Sequence, residues 1–380
     1  MKIAIATDWF APRRGGIEGQ LVQLAERLAS RGHEVDVLTS TPGAMDGATY
    51  RVRALGLLTL PQIELAVSPA LFQVLRRELQ RGYDVVHAHV SVVSPVGYGA
   101  AAVARALGLP AVVTFHSVLR HKRHLLRAVD AVARLSDSAV VWSGVSELVA
   151  AQVRDALDDA DVSVLPNGID LAFWTSARLA PRRSGTDATT LVSTMRLHRK
   201  KRPLQLLRAF AQAAARVSAP ARLLIVGDGP ERAALAYEIR TLGLADGRRR
   251  AELLGWLDRD ALRALYAEVD GFALASERES FGIAALEARA MGLPVIAMRA
   301  SGSNEFLAHD INALVCEDDA ELTQSMVRFL EEAPLRSKLA AGAVALDRYD
   351  WNAVLAEHEA TYRRAMTRAA VAAGAVVGST

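Results

Sequence analysis

Glu279 and Glu287 stand in the segment Ser276–Ala288 with seven residues between them. The pattern predicts a helix that starts between the two carboxylates. Ser280 is the expected N-cap, because its hydroxyl can accept a bond from the first free backbone donors. Gly292 and Pro294 end the helix, one as a left-handed cap and one as a breaker. Glu279 then lies in the loop just before the helix, where the amides of Phe281, Gly282 and Ile283 point the same way. That end carries partial positive charge and suits a phosphate. A phosphate held there, with carboxylates placed to accept sugar hydroxyls, makes a nucleotide-sugar site. The same spacing also fits an ordinary amphipathic helix with two solvated glutamates, so the rest of the chain must decide.

The segment resembles the E-x7-E signature of retaining glycosyltransferases of family 4, and the resemblance extends over nearly the whole chain. It implies the GT-B fold: two Rossmann-like domains, each a doubly wound parallel α/β sheet, facing a cleft. Met195-Arg196-Leu197-His198-Arg199-Lys200-Lys201-Arg202-Pro203 is similar to the family's G-R-L-x-x-x-K-G element. Arg196 and Lys201 match its basic pair, and Met195 and Arg202 stand where the element has glycines. In the family the pair holds the donor diphosphate. The leaving nucleoside diphosphate gains charge as the glycosidic bond breaks, and two fixed cations stabilise it more in the transition state than in the ground state. The bland alternative is a solvated basic loop.

Further motifs extend the resemblance. Ile225-Val226-Gly227-Asp228-Gly229-Pro230 is a strand-to-helix turn whose glycines permit a tight bend. It resembles the family's G-x-G-P turn and is not a dinucleotide fingerprint. By resemblance, Trp256 lies beside the nucleobase, and Gly302 belongs to a glycine loop near the glutamates, one glycine short of the common pair. In the first half, Gly15 and Gly16 sit where backbone amides can approach an anion at a helix start; the matching family loop reaches the diphosphate or acceptor. His116 ends a strand at its carboxyl edge, where ligands bind in open α/β sheets, and matches a family histidine that contacts the transferred sugar. His87 and His89 also end a strand and are left unassigned. Pro166-Asn167-Gly168-Ile169-Asp170 resembles the family's P-N-G-x-D loop and reads as structural.

The elements that must position these groups alternate strand and helix. Strands are expected at Lys2–Thr7, Glu34–Thr39, Asp84–His89, Ala111–Phe115, Ala139–Val145 and Val162–Leu165, with Arg51–Leu55 as an addition. The second half repeats the pattern at Thr190–Thr194, Arg222–Val226, Glu252–Leu254, Gly271–Ala275, Pro294–Ala297 and Ala313–Cys316. Runs this apolar are buried on both faces, as in a parallel sheet. A polar stretch at 176–188 divides an N-terminal acceptor domain, 1–175, from a C-terminal donor domain, 186–350. By resemblance a last helix, about 351–370, crosses back onto the first domain. The Ala/Val/Gly tail after Arg368 reads as frayed.

The 380 residues are 51% hydrophobic, which suits two packed cores. No run has the length of a membrane span, the N-terminus lacks signal-peptide features, and a single cysteine, Cys316, reads as a buried thiol in a reducing cytosol. The net charge of +3 gives no case for nucleic acid. The basic run Arg120, His121, Lys122, Arg123, His124 and Arg127 reads as a solvated helix face, or as a contact with anionic lipid or an anionic acceptor at the inner face of the membrane. Asp159-Ala160-Asp161 reads as a solvated turn, and no set of side chains has metal-ligand spacing.

The expected function is retaining transfer of a hexose from a nucleotide-sugar to an acceptor hydroxyl, on a glycolipid, polyol or glycan precursor, without a metal or other cofactor. By resemblance, Glu279 orients sugar hydroxyls, Glu287 the ribose diol, and the leaving phosphate helps to take the acceptor proton. The alternatives are a nucleotide-sugar epimerase or phosphorylase on the same fold, and a nucleotide-sugar-binding protein without turnover. Nucleobase, sugar and acceptor stay open.

Overall fold

The computed structural model describes residues 1–13, 15–60, 65–66, 68–119, 122–136, 139–158, 160–176 and 188–377. Its strands are β1 Lys2–Thr7, β2 Glu34–Thr39, β3 Arg51–Ala54, β4 Thr59–Leu60, β5 Leu65–Ala66, β6 Val85–Val90, β7 Ala111–Phe115, β8 Val141–Gly144, β9 Val162–Val164, β10 Thr189–Thr194, β11 Ala221–Val226, β12 Arg249–Gly255, β13 Gly271–Leu274, β14 Val295–Met298 and β15 Ala313–Cys316. Its helices are α1 Gly16–Ser30, α2 Leu71–Leu79, α3 Pro95–Ala106, α4 Arg123–Ala133, α5 Glu147–Ala156, α6 Leu171–Thr175, α7 Pro203–Arg216, α8 Arg232–Thr241, α9 Arg259–Glu268, α10 Ile283–Ala290, α11 Asp319–Glu331, α12 Ala333–Ala341 and α13 Trp351–Val377. The chain divides into two compact units. One is Met1–Gly168 with Trp351–Thr380, the other Ile169–Asp350.

The first unit holds a seven-stranded sheet in the order β3-β2-β1-β6-β7-β8-β9, parallel throughout. Its strands are apolar on both faces because helices cover both. Ile3, Ile5, Val37, Val85, Val112 and Val141 meet Leu21, Leu24 and Leu28 of α1 and Trp351, Leu355 and Tyr362 of α13. Each large apolar side chain so buried contributes roughly 1.5–3 kcal/mol. Gly168 packs under Trp351, whose ring would lie 2.6 Å from an added Cβ. Gln20 brackets that glycine, donating to its carbonyl at 2.8 Å and accepting from its amide at 3.0 Å. Asp170 caps α6 through the Phe173 amide, so the Pro166–Asp170 loop is structural in both units.

The second unit holds a six-stranded sheet, β12-β11-β10-β13-β14-β15, also parallel. In both sheets the strand order reverses beside the first strand of the unit: between β1 and β6, and between β10 and β13. The crevice outside the carboxyl ends at such a reversal is where open α/β sheets bind ligands. This is the doubly wound architecture that the alternating pattern predicts.

Besides the short antiparallel β4–β5 pair, which the sequence reading did not include, strand β12 and helix α13 differ from it. Strand β12 begins at Arg249, three residues before the expected Glu252. As an edge strand it tolerates charge, and Glu252 accepts from both Arg222 and Arg250 at 3.0 Å, which neutralises the arginines that mask the strand in sequence. Helix α13 runs on to Val377 rather than fraying after Arg368. The stretch from Ala369 to Ala375 is mostly alanine, the residue of highest helix propensity. Of the expected linker at 176–188, residues 177–187 lie outside the described residues.

Four histidines are buried together in the first unit. His87 Nε2 lies 2.7 Å from Thr114 Oγ1, its Nδ1 lies 2.9 Å from Tyr362 Oη, and its ring stands 5.6 Å from that of His358. Burial holds His87 and His89 well below the ordinary imidazole value, His116 at about 3 and His358 at about 4. The unfolded chain takes these protons near pH 6.5, so below that pH the folded state binds fewer. Stability that is complete above about pH 6.5 is lost as pH falls toward 4. Burial acts in the opposite sense on Asp8, raised to about 6, a single group against four. Hydrogen exchange of the β6 and β7 amides should therefore be faster at pH 5 than at pH 7 after correction for intrinsic rates. Equal protection would contradict a neutral cluster.

Candidate active site

In the second unit the site is built from the loops that follow β10 and β13, on either side of the strand-order reversal. The chain leaving β10 runs against the turn after β11. Met195 donates to Val226 O at 3.0 Å and Leu197 to Asp228 O at 2.9 Å. Gly227 has φ +126, and a Cβ there would stand 1.9 Å from Met195 O; Gly229 has φ +152, with Leu197 O at 2.5 Å. Both positions require glycine. Met195, in a position where the resembling motif has glycine, sends its side chain into the core and leaves this backbone approach intact. Beyond it Arg196 is exposed; its carbonyl accepts from the His198 amide at 2.8 Å, and its guanidinium has no hydrogen bond or ion pair among the described residues. A short 3-10 turn over Arg199–Lys201 then turns Lys201 toward the second loop. Its Nζ lies 2.6 Å from Glu279 Oε2.

The helix between the glutamates starts later than expected. Gly282, at φ +92, is the N-cap of α10, not Ser280. Phe281 is buried against Phe306 and Tyr349, with ring centroids 5.8 and 5.6 Å away. Seating that ring keeps the chain off the helical path until Gly282 turns it. The Phe281 side chain is thus core, and only its backbone faces the site. The amides of Phe281, Gly282 and Ile283 have no acceptor among the described residues. Gly302 does not offer a free amide, because it donates to Glu279 O at 2.8 Å and fixes the loop instead. Gly292, at φ +77, closes the helix as expected, with its amide on Arg289 O.

Glu287 is carried on α10 one turn in. Burial pushes its carboxyl up to about 8, and Arg259 at the start of α9 draws it down only in part. It is not paired with Lys201, so the two glutamates meet different charges. Trp256 follows Gly255, the last residue of β12, and is about half exposed.

In the first unit Asp8 follows β1, Gly15 caps α1, His89 belongs to β6 and His116 follows β7. Asp8 accepts from the Val96 and Gly97 amides at the start of α3, at 3.0 and 3.3 Å, and burial raises it to about 6. Gly15 is extended, at φ −178. A Cβ there would stand 2.1 Å from Glu18 Oε2, because Glu18 folds back over the turn and pairs with Arg13 at 2.9 Å. A carboxylate of the chain itself thus stands where the sequence places an anion. Gly16 is the first residue of α1, and Arg14 lies outside the described residues. His116 Nε2 is 2.9 Å from His89 Nδ1. The two line a cavity of about 20 Å³ with Gln20, Asn167 and His358, room for one water.

Other groups fall away from these loops. Arg120 and His121 lie outside the described residues. Arg123 pairs with Asp155 at 3.1 Å and Arg127 with Asp158 at 2.9 Å, so half of the described basic run is tied to α5 and the turn after it, while Lys122 and His124 are exposed. Asp161 pairs with Arg368, and Asp159 lies outside the described residues. Cys316 is buried, its thiol pushed up to about 11. Among the described residues no group of three or more His, Cys, Asp or Glu could hold a metal ion, and no helix is long and apolar enough to cross a membrane.

Sequence reasoning missed three participants. Arg202 has φ +56 and pairs with Glu277 at 2.6 Å and with Asp319 at 2.7 Å. The signal for Arg202 was its place at a motif glycine. Glu277 is visible two residues before Glu279, but its partner is not. His89 gave only the alternation of its strand.

The raised Glu287 carboxyl has a consequence for stability. Between about pH 4.5 and 8 the folded state keeps a proton that the unfolded chain has lost, so stability falls as pH rises through that window. Glu287→Gln removes the fall. Its unfolding free energy from chemical denaturation should match wild type at pH 5 and exceed it at pH 8.5 by up to about 2 kcal/mol. Identical pH dependence of the two proteins would contradict the buried carboxyl.

The chain is similar to known proteins in sequence and fold. Residues 180–344 match the family model described as glycosyl transferases group 1, and residues 14–173 match glycosyltransferase family 4. A D-inositol 3-phosphate glycosyltransferase of Salinispora arenicola is 31% identical, over 87% of this chain and 82% of the relative. A phosphatidyl-myo-inositol mannosyltransferase of Mycobacterium leprae is 28% identical, over 97% and 98%. The Anabaena protein HepE, solved with UDP and glucose, has the same fold at 22% identity and a TM-score of 0.70, over 95% and 98% of the two chains. Two parallel-sheet units, the paired loops at their strand-order reversals and these relatives together make the chain a member of glycosyltransferase family 4, with the GT-B fold.

Proposed function

We propose that the protein transfers a hexose from a nucleotide-sugar to an acceptor hydroxyl with retention at the anomeric carbon. The acceptor is an inositol-type polyol or a glycolipid precursor. The observation that carries this reading is the juxtaposition of Lys201 with Glu279, 2.6 Å apart, in a segment whose Phe281, Gly282 and Ile283 amides have no acceptor among the described residues. A cation and unpartnered amides suit a diphosphate; the adjoining carboxylate suits sugar hydroxyls. The acceptor class rests on the relatives, whose names speak of inositol 3-phosphate and phosphatidyl-myo-inositol.

In this mechanism the bond from the anomeric carbon to the phosphate oxygen breaks as the acceptor oxygen bonds to that carbon from the same face. The acceptor proton passes to the departing phosphate oxygen. Arg196, Lys201 and the α10 amides stabilise the charge that gathers on the diphosphate, where preorganised donors contribute most. Glu279 orients the hydroxyls of the sugar, and Glu287 the ribose diol. His116 in the first unit is a neutral imidazole, since burial holds it at about 3. With two side-chain cations on the phosphates, no divalent ion is required.

Incubation with UDP-, GDP-, ADP- and CMP-sugars, with and without inositol and inositol phosphate, should give a glycosylated acceptor from one nucleotide class, at a rate unchanged by EDTA. Glu279→Ala and Lys201→Ala should each cut that transfer by about a hundredfold or more, with unaltered melting midpoints. Normal turnover in both variants would sink the proposal. An epimerised donor in the absence of acceptor would favour an epimerase instead.

A further inference from the structure

Arg202 is out of place by local rules. It has φ +56, a left-handed conformation that costs an ordinary residue roughly 1–2 kcal/mol and costs glycine almost nothing. It also directly precedes Pro203, the first residue of α7. Something outside the backbone must hold it there.

The side chain supplies that hold. Its Nη1 lies 2.6 Å from Glu277 Oε1 and donates to Ala275 O at 3.3 Å. Its Nη2 forks onto both carboxylate oxygens of Asp319, at 2.9 and 2.7 Å. The guanidinium is largely covered, with 18% of the side chain exposed. One residue therefore ties three pieces of the second unit together: the loop after β10, the loop after β13 and the start of α11. A planar fork with five donors can do this, and a lysine ammonium cannot match its geometry.

The tie runs beside the one already assigned to the donor. Lys201 grips Glu279, and its neighbour Arg202 grips Glu277 two residues earlier. Between Ala275 and Gly282 the loop has no regular ladder of its own. Among the contacts that fix it are these two ion pairs, the Gly302 amide on Glu279 O and the packing of Phe281. Without Arg202, the end of the loop nearest β13 loses both of the bonds that the guanidinium supplies.

We infer that Arg202 is a positioning residue, which holds the Glu277–Gly282 loop so that Glu279 and the free amides stand ready for the donor diphosphate. The inference rests on the donor-site reading above. Arg202 touches no substrate; it acts through Glu277. On this account the left-handed strain is retained because glycine would relieve it and lose the fork, a local cost of the kind that functional sites keep.

Arg202→Gly separates this role from a merely structural one, since relieved strain offsets the lost ion pairs. Its melting midpoint should stay within about 2 °C of wild type. Hydrogen exchange across 276–284, measured without ligand, should be faster. The Kd for whichever of UDP, GDP, ADP or CDP wild type binds should rise about tenfold. Arg202→Lys should fall between the two, and Glu277→Gln should reproduce the loosened loop; these two carry the test if the glycine variant does not fold. Unchanged exchange in the variants would overturn the inference, and so would faster exchange with unaltered nucleotide affinity. Wild type that binds none of the four nucleotides would overturn the donor-site reading and this inference together. Wild type that binds while Arg202→Gly binds equally well would overturn this inference alone.

Discussion

A parallel sheet covered on both faces has no backbone donor or acceptor left in its interior for a ligand. Every N–H and C=O of β10, β11 and β13 that faces a neighbour is spent on the ladder, and the side chains above and below are spent on the helices. Chemistry is confined to the carboxyl ends, where the strand order reverses and adjacent loops leave in opposite directions. This constraint places Lys201 and Glu279, from loops after β10 and β13, next to each other although they lie 78 residues apart in the chain. The same constraint in the first unit gathers Asp8, His89 and His116 at the ends of β1, β6 and β7.

The second-unit site is a balance of charges rather than a bare cationic pocket. Lys201 and Arg202 are both held by carboxylates, while the Arg196 guanidinium is exposed with no partner among the described residues. On the proposed reading, a diphosphate entering this site would meet the Arg196 guanidinium and the Phe281, Gly282 and Ile283 amides, none of which has a side-chain or backbone acceptor among the described residues, and would exchange the Lys201–Glu279 pair for a Lys201–phosphate pair. That exchange costs little, because a partly exposed ion pair is worth on the order of 1 kcal/mol or less. The released carboxylate would then be available to sugar hydroxyls, as proposed. Holding the cation and the carboxylate together in the resting state keeps both in place and keeps neither tightly bound.

Much of this was legible in the sequence, and for identifiable reasons. Buried parallel strands are short apolar runs, so their positions emerged to within a residue or two, except at β12, where paired arginines and a glutamate disguised an edge. Gly227 and Gly229 were legible because a backbone carbonyl sits where any side chain would go. The helix start was misread by two residues, since Ser280 is a good cap by type and the competing demand, a pocket for Phe281 between Phe306 and Tyr349, is tertiary. Arg202 was visible only as a departure from a motif glycine. Its significance depends on Glu277 and Asp319, which no local spacing brings together. The neutral state of the histidines is likewise a product of packing, as His87, His89, His116 and His358 come from two strands or their ends and a helix.

The central claim is that a diphosphate binds at the start of α10 beside Lys201. The direct measurement is an amide NMR titration of protein labelled at phenylalanine, glycine and isoleucine with UDP, GDP and ADP in turn. The account predicts that one nucleotide shifts Phe281, Gly282 and Ile283 downfield and that Lys201→Met weakens the response. Saturable binding of a nucleotide that leaves these three amides unmoved would contradict it.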